Sequence, residues 1–358
     1  MPTPTTTRRW VSDLSSGYRA LELQPSAPLP TLLPHQVLIR IKAVSLNYRD
    51  LDAMTGYYNT FRTHSKTPLP LVPCSDGAGI IVAVGSAVDL AETGVAVGDE
   101  VLCLYNTEHM AGPVTAYHMQ TGSGLPLEGC LTEYKILPHY ATVRKPAYLG
   151  WEQAVTLVGG GSTCWTAFFC GMRPLRPGMT VLILGTGGVS IVALQIAKAM
   201  HVTTIVTSSS DEKLKTCATL GADYCINYTH SPNWSEEVLR ITNGTGVDMV
   251  METAGQKTII QSLKSLKWGG LINDIGYVSG KGSDAELLGV SLILIRKHAM
   301  MQGVIVGGKD VLQEVANFYE KARIVPFVDR VFPFDQAKEA FAYLESQKHM
   351  GKVIINLE

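Results

Sequence analysis

Neither sign of charge is in excess in this 358-residue chain, where 30 basic side chains face 31 acidic ones for a formal net charge of -1. Nucleic acid and anionic membrane surfaces both reward a basic surplus, so neither is expected as the main partner. Charged residues are scarce at 17%, while hydrophobic ones reach 46%. That balance excludes a disordered chain and allows a large buried core. The seven cysteines, at 74, 103, 130, 164, 170, 217 and 225, are odd in number and form no CxxC pair and no C-terminal CaaX box. Neither a disulfide framework nor a zinc ribbon is indicated. Long apolar runs are missing too. Runs such as 292–295 and 181–184 are strand-sized and too short to span a bilayer. The Thr/Pro-rich start lacks the apolar stretch of a signal peptide, so the sequons beginning at Asn227, Asn233 and Asn243 read as chance matches. A soluble, cytoplasmic protein acting on a small molecule is expected.

What is present falls into two styles. The length suggests two domains at about 150 residues each. Residues 1–150 read as β-rich, with strands over 37–43 and 78–84 and a Gly98-Asp99-Glu100 turn feeding a strand over 101–104. The stretch 106–129 is polar, Gly/Pro-punctuated and without a period, and loops of that length are often functional. From Trp151 onward strands and helices alternate. Strands are predicted over 180–184, 203–207, 224–228, 248–252 and 271–276, with helices over 189–200, 212–220, 234–242 and 259–266. This βαβαβ succession predicts an α/β fold with a doubly wound parallel sheet of the Rossmann type. Two further helices follow residue 311, then a strand over 352–357.

The segment Thr180-Val-Leu-Ile-Leu-Gly185-Thr-Gly187-Gly188-Val189-Ser190 follows a strand and opens a helix, the setting that lifts a glycine pattern above chance. Gly185 permits the tight turn and Gly187 lets the backbone approach a pyrophosphate. The helix start at Gly188 and Val189 offers N–H groups and a positive dipole end. Ser190 replaces the third glycine of G-x-G-x-x-G; it allows close packing, and its hydroxyl is free to face a phosphate. The second strand ends in Thr207-Ser208-Ser209-Ser210-Asp211-Glu212-Lys213, where an NAD site would carry an acid for the ribose. Hydroxyls and one cation there predict NADPH over NADH. Ser209 with Glu212 also fits a capping box.

These residues sit in a longer ordered series. It comprises Ser45-Leu46-Asn47-Tyr48-Arg49-Asp50, Pro73-Cys74-Ser75-Asp76-Gly77-Ala78-Gly79, Val97-Gly98-Asp99-Glu100-Val101, Gly161-Ser162-Thr163-Cys164-Trp165-Thr166-Ala167, Gln195-Ile196-Ala197-Lys198, Gly221-Ala222-Asp223 and Gly351-Lys352-Val353. In that order the chain resembles the medium-chain dehydrogenase/reductases, and more narrowly their zinc-independent, quinone oxidoreductase-like branch. The resemblance implies a GroES-like catalytic domain over 1–150 and 310–358, with a Rossmann cofactor domain over 151–309 inserted in it. Zinc-dependent relatives carry Cys-His where this chain has Asn47-Tyr48, His-Glu at Ser75-Asp76, and a Cys among 159–161. Asp76 alone cannot supply a tetrahedral set, so no zinc is expected. Hydride transfer without a metal needs an acceptor that is already electrophilic, such as a quinone or an α,β-unsaturated carbonyl compound.

By the same resemblance Asn47 and Thr163 lie near the nicotinamide, with Thr163 a partner of its carboxamide. Tyr48 and Tyr58 are the candidate proton donors or oxyanion contacts. Tyr228, Gly276, Val278, Val304 and Val306 join the expected cofactor-binding set, and Lys352 is expected near the cofactor phosphates. Asp76 reads as a backbone cap, and Asp50 and Arg49 as members of structural ion pairs with other residues. Cys164 reads as packed, and His109 and His118 as solvent-facing. The apolar stretches 287–295 and 300–305 resemble the edge through which relatives pair, so a homodimer is expected. The expected activity is NADPH-dependent reduction of a quinone or enone. A biosynthetic enoyl reductase and a non-catalytic NADPH-binding protein are the alternatives.

Overall fold

The computed structural model describes residues 3–57, 69–280 and 289–358. Tyr58 lies outside the described residues. The chain divides into two compact units, Met1–Ser162 with Val306–Glu358, and Thr163–Ile305.

The first segment supplies β1 (Thr6–Val11), β2 (Glu22–Pro28), β3 (Gln36–Ser45), β4 (Asp76–Val84), β5 (Glu100–Cys103), β6 (Tyr134–Pro138) and β7 (Thr142–Arg144). In β3, Val37, Ile39, Ile41 and Val44 are at most 1% exposed, so this strand carries the core of its unit. It pairs antiparallel with β4, with register shifts after Leu38 and Ile41 that bend the ladder. Gly79 is required where the two strands touch, since a Cβ there would stand 2.2 Å from the Arg40 carbonyl oxygen.

The chain then enters the second unit with β8 (Thr180–Ile183), β9 (Thr203–Ser208), β10 (Tyr224–Asn227), β11 (Val247–Glu252), β12 (Leu266–Asp274) and β13 (Met300–Gly303). These six strands run in the order β10-β9-β8-β11-β12-β13 with every pairing parallel. The doubly wound sheet expected from the sequence is therefore present. Val181, Leu182 and Ile183 are fully buried, as a central strand covered on both faces must be. Leu182, Ile205, Trp234, Val250, Leu263 and Ile272 form one core between this sheet and its helices. β12 begins at Leu266 rather than 271. Residues between the Val247–Leu266 and Met249–Leu271 pairs are carried as a bulge, and Gly269-Gly270 hide the strand from a sequence pattern. Of the apolar stretch expected at a pairing edge, Val290–Lys297 is a helix, and Met300–Gly303 is the strand at the sheet edge.

Back in the first unit, β14 (Val328–Pro333) and β15 (Lys352–Asn356) complete a sheet ordered β14-β15-β3-β4-β5-β7, with β6 on β3. Residues 151–162 pack with this unit rather than opening the second. The N–H of Gly159 donates to Asp76 Oδ2 at 3.0 Å, and Asn356 Nδ2 donates to Glu152 Oε1 at 2.6 Å. Among the described residues no helix is long and apolar enough to cross a membrane.

Candidate functional site

In the second unit the turn after β8 is shaped by its glycines. Gly185 has φ +71°, in the left-handed region, and its N–H donates to Thr207 Oγ1 at 3.3 Å. Gly187 caps the helix Gly188–Ala199 without a side chain, which leaves first-turn N–H groups, those of Gly188 and Val189 among them, to a ligand. A Cβ at Gly185 or Gly187 would meet nothing within 4 Å. The turn is thus open on the side from which a pyrophosphate would approach, and its residues fit a dinucleotide. Ser190 is not turned toward that space. It is 2% exposed and its hydroxyl donates to Leu184 O at 2.7 Å, so it serves helix–strand packing.

At the end of β9, Ser208 is buried and its Oγ accepts from the Ser210 N–H at 3.2 Å. Ser210, not Ser209, caps the helix Asp211–Thr219, its Oγ accepting from the Lys213 N–H at 3.3 Å. The expected Ser209–Glu212 capping box does not form; the cap falls one residue later, because Ser208 still belongs to the strand. Ser209 is exposed. The nearest carboxylate, Asp211, accepts from Asn227 Nδ2 at 2.7 Å. Tyr228 follows β10, Gly276 and Val278 follow β12, and Val304 follows β13, its N–H donating to Asp274 O at 2.9 Å. Because the six strands are parallel, all these residues gather with the glycine turn at one carboxyl edge. Glu252 ends β11 fully buried and was not foreseen. It accepts from the N–H groups of Ala254 and Gly255 and from the hydroxyls of Thr258 and Ser262, which pins the turn behind Gly276. Thr163 is half-buried in the helix Ser162–Phe169, and Cys164 beside it is fully buried with its thiol on Val189 O.

The first unit holds Asn47, Tyr48, Val306 and Lys352. Val306 is buried and Tyr48 is 37% exposed; burial, then Asp52, pushes the Tyr48 phenol up, which favours its protonated form. Lys352 is only 3% exposed and is not at the surface. Its Nζ donates to Asn47 Oδ1 at 2.6 Å and to Leu46 O at 2.8 Å, and lies 3.9 Å from Asp76 Oδ2. Asn47 Nδ2 donates to Ser75 Oγ at 3.3 Å, and Ser75 Oγ donates to Asp76 Oδ1 at 2.7 Å. Lys352, Asn47, Ser75 and Asp76 therefore close a ring.

Arg49 and Asp50 do not lie on an extended segment. They belong to the helix Tyr48–Met54, where Arg49 Nη1 comes within 3.4 Å of Asp50 Oδ1 and donates to Ser123 O at 3.0 Å. A helix does not send neighbours to opposite faces as a strand does, and the long Arg49 side chain reaches back to Asp50. Asp50 Oδ2 accepts from the Asn47 N–H at 2.9 Å. Burial pushes the Asp50 carboxyl up to about 6, against the opposing pull of Arg49. An acid whose folded pKa exceeds its unfolded one binds its proton more tightly when folded. Its contribution to stability therefore falls as pH rises from about 4 to about 6. The span corresponds to on the order of 3 kcal/mol. Asp50→Asn is expected to remove that slope. Urea melts of both proteins across this range check it, and parallel profiles would refute the assignment.

The stretch 106–129 contains a short helix, Ala116–Met119, and is largely buried at both ends. His109 is 1% exposed rather than solvent-facing, stacked on His118 with ring centroids 4.3 Å apart. Its carbonyl accepts from the Lys309 N–H, so docking on the returning chain buries it.

The positions at which the resemblance places zinc ligands can be judged by their donors. Asn47 and Ser75 offer an amide and a hydroxyl, Asp76 one carboxylate, and position 159 no side chain. A thiolate, imidazole and carboxylate set is what zinc requires, so these residues do not fit it. Among the described residues no group of three or more His, Cys, Asp or Glu could hold a metal ion.

Comparison with known proteins accords with this architecture. Residues 33–147 match the alcohol dehydrogenase GroES-like domain, and residues 188–321 match the zinc-binding dehydrogenase family. A zinc-type alcohol dehydrogenase-like protein of Schizosaccharomyces pombe is 39% identical over 97% of this chain and 98% of its own length. The chloroplastic NADPH-dependent alkenal/one oxidoreductase of Arabidopsis thaliana is 28% identical over 98% of this chain and 80% of its own. A crystal structure of an NAD-dependent alcohol dehydrogenase superposes with a TM-score of 0.86 at 30% identity, covering 98% of this chain and 100% of that one. Fold, ordered motifs and relatives agree, and the chain belongs to the medium-chain dehydrogenase/reductase superfamily of nicotinamide-dependent oxidoreductases.

Proposed function

We propose that this protein is an NADPH-dependent reductase of conjugated carbonyl compounds, enones or quinones, that works without zinc. The observation that carries this reading is the donor set at Asn47, Ser75-Asp76 and Gly159, which cannot assemble a tetrahedral zinc site. Alcohol oxidation at a Lewis-acid metal is then disfavoured, and an acceptor that already delocalises charge onto its own oxygen suits the site. The chemistry supplied by bound NADPH is hydride donation. The glycine turn after β8 binds the pyrophosphate on backbone N–H groups. The hydroxyls of Ser208–Ser210, with no carboxylate among them, spare a 2′-phosphate the repulsion that an acid would impose. Relatives differ on this point, one being NADPH-dependent and another NAD-dependent by name; the residues at the end of β9 favour the phosphate. Tyr48, at the start of its helix, holds a phenolic proton that a product enolate can take.

Nicotinamide absorbance decay with both cofactors and a panel of quinones, enones and saturated alcohols tests the reading. Turnover of enones or quinones, faster with NADPH and indifferent to chelator, is expected. Alcohol oxidation abolished by a chelator would sink it. Cofactor binding with no turnover on any acceptor would point to a non-catalytic role, and turnover of enoyl thioesters alone to a biosynthetic enoyl reductase.

A further inference from the structure

The ring of Lys352, Asn47, Ser75 and Asp76 is more than the loss of a metal site. Its hydrogen bonds run in one direction, from the Lys352 ammonium to the Asn47 carbonyl oxygen, from the Asn47 amide to Ser75, and from Ser75 to Asp76. Chains of this kind polarise one another and strengthen together. Three members, Lys352, Ser75 and Asp76, are buried, while Asn47 is half-exposed. Two buried carboxylates, Asp50 and Asp76, face Lys352 and Arg49, so the cluster is balanced in formal charge and a divalent cation would upset that balance. Gly159 gives independent testimony. A Cβ there would stand 2.7 and 2.9 Å from the Asp76 carboxylate oxygens and 3.2 Å from Asn47 Nδ2. The ring occupies the space that a ligand side chain at 159 would need.

We propose that Lys352 is a tethered cation. It brings on a covalent arm the positive charge that a zinc-binding dehydrogenase takes from its metal, and it positions Asn47. With its Oδ1 held and polarised by the ammonium, Asn47 presents the second hydrogen of its Nδ2 outward from the ring. That hydrogen is the donor for the oxygen of a conjugated carbonyl on which negative charge develops. Lys352 is a positioning residue, acting through Asn47. This part of the inference rests on the reductase reading; the tethered cation does not.

The decisive variants are Lys352→Met, which keeps the stem and removes the charge, and Asn47→Asp, which keeps the acceptor and removes the amide donor. With an enone as acceptor, each is expected to lower kcat about 10- to 100-fold. The NADPH Kd, read by cofactor fluorescence, is expected to stay unchanged. Unchanged kcat in either variant would overturn the positioning role. A weakened NADPH Kd with kcat intact would place the ammonium on the cofactor instead. In Lys352→Ala, propylammonium chloride is expected to raise the melting temperature while potassium chloride does not. The wild type is expected to take up no zinc in a calorimetric titration. Stoichiometric zinc uptake, or no response to propylammonium, would overturn the tethered cation. These last two readouts decide it even if no enone or quinone is turned over, which would instead remove the proposed function.

Discussion

Gly187→Val is expected to raise the NADPH Kd by about 30- to 100-fold while leaving the protein folded. The position tolerates a side chain within the protein itself, since its backbone is extended and a Cβ there would meet nothing within 4 Å. Exchanging a glycine N-cap for valine costs about 1 kcal/mol. For a unit of this size that is about 4 °C of melting temperature. The bound dinucleotide is another matter. Its pyrophosphate must approach the backbone where the valine methyls would stand. A forced contact of that kind costs about 2–3 kcal/mol, which is the stated loss of affinity. Fluorescence titration together with a melting curve separates the two effects. An unchanged Kd would remove this turn from the cofactor site, and collapse of the fold would refute the claim of open space.

Gly159→Cys is the second change with a large expected effect, and here the loss falls on the fold. It restores the residue type that the family resemblance places near this position, yet it is expected to destabilise the protein and bind no zinc. Alanine and other residues ordinarily favour a helical turn over glycine by up to about 1 kcal/mol. Against that stands a Cβ 2.7 Å from Asp76 Oδ2, in a buried position where that carboxylate is held by the Ser75 hydroxyl and the Gly159 N–H. Overpacking of this degree costs about 1–3 kcal/mol, and the ring's hydrogen bonds would be stretched besides. The clash outweighs the helical gain. Gly159→Ala shares the clash without the thiol, so both variants should melt below the wild type. A Gly159→Cys protein as stable as the wild type, with stoichiometric zinc, would show that the ring yields readily.

Much of the second unit was legible in the sequence because its signals are local. An apolar strand, a glycine turn and a helix occupy consecutive residues from Thr180 to Ala199, and each succeeding strand repeats the pattern. The strand-end serines were legible for the same reason, though the cap fell on Ser210 because the strand ran one residue further than its β-branched core. The ring in the first unit was not legible. Asn47, Ser75-Asp76 and Lys352 each stood in a recognisable segment, but the Lys352–Asn47 bond joins residues 305 apart in the chain. No periodicity reports such a meeting. The same holds for His109, whose burial depends on Lys309, and for Glu252, whose partners come from the turn and helix after it. Arg49 and Asp50 failed for a different reason: a seven-residue helix is too short to announce itself by period.

The place of β15 between β14 and β3 sets a timetable for synthesis. Thr163–Ile305 is one uninterrupted stretch and can fold as soon as it clears the ribosome. Its host cannot. Residues Ala43 to Ser45 of β3 wait with an unpaired edge until Ile354 to Asn356 arrive, some three hundred residues later. Lys352 enters with that same strand, so the ring cannot close before β15 is made. Until then Asp76 lacks its cation and β3 lacks the neighbour that covers its edge.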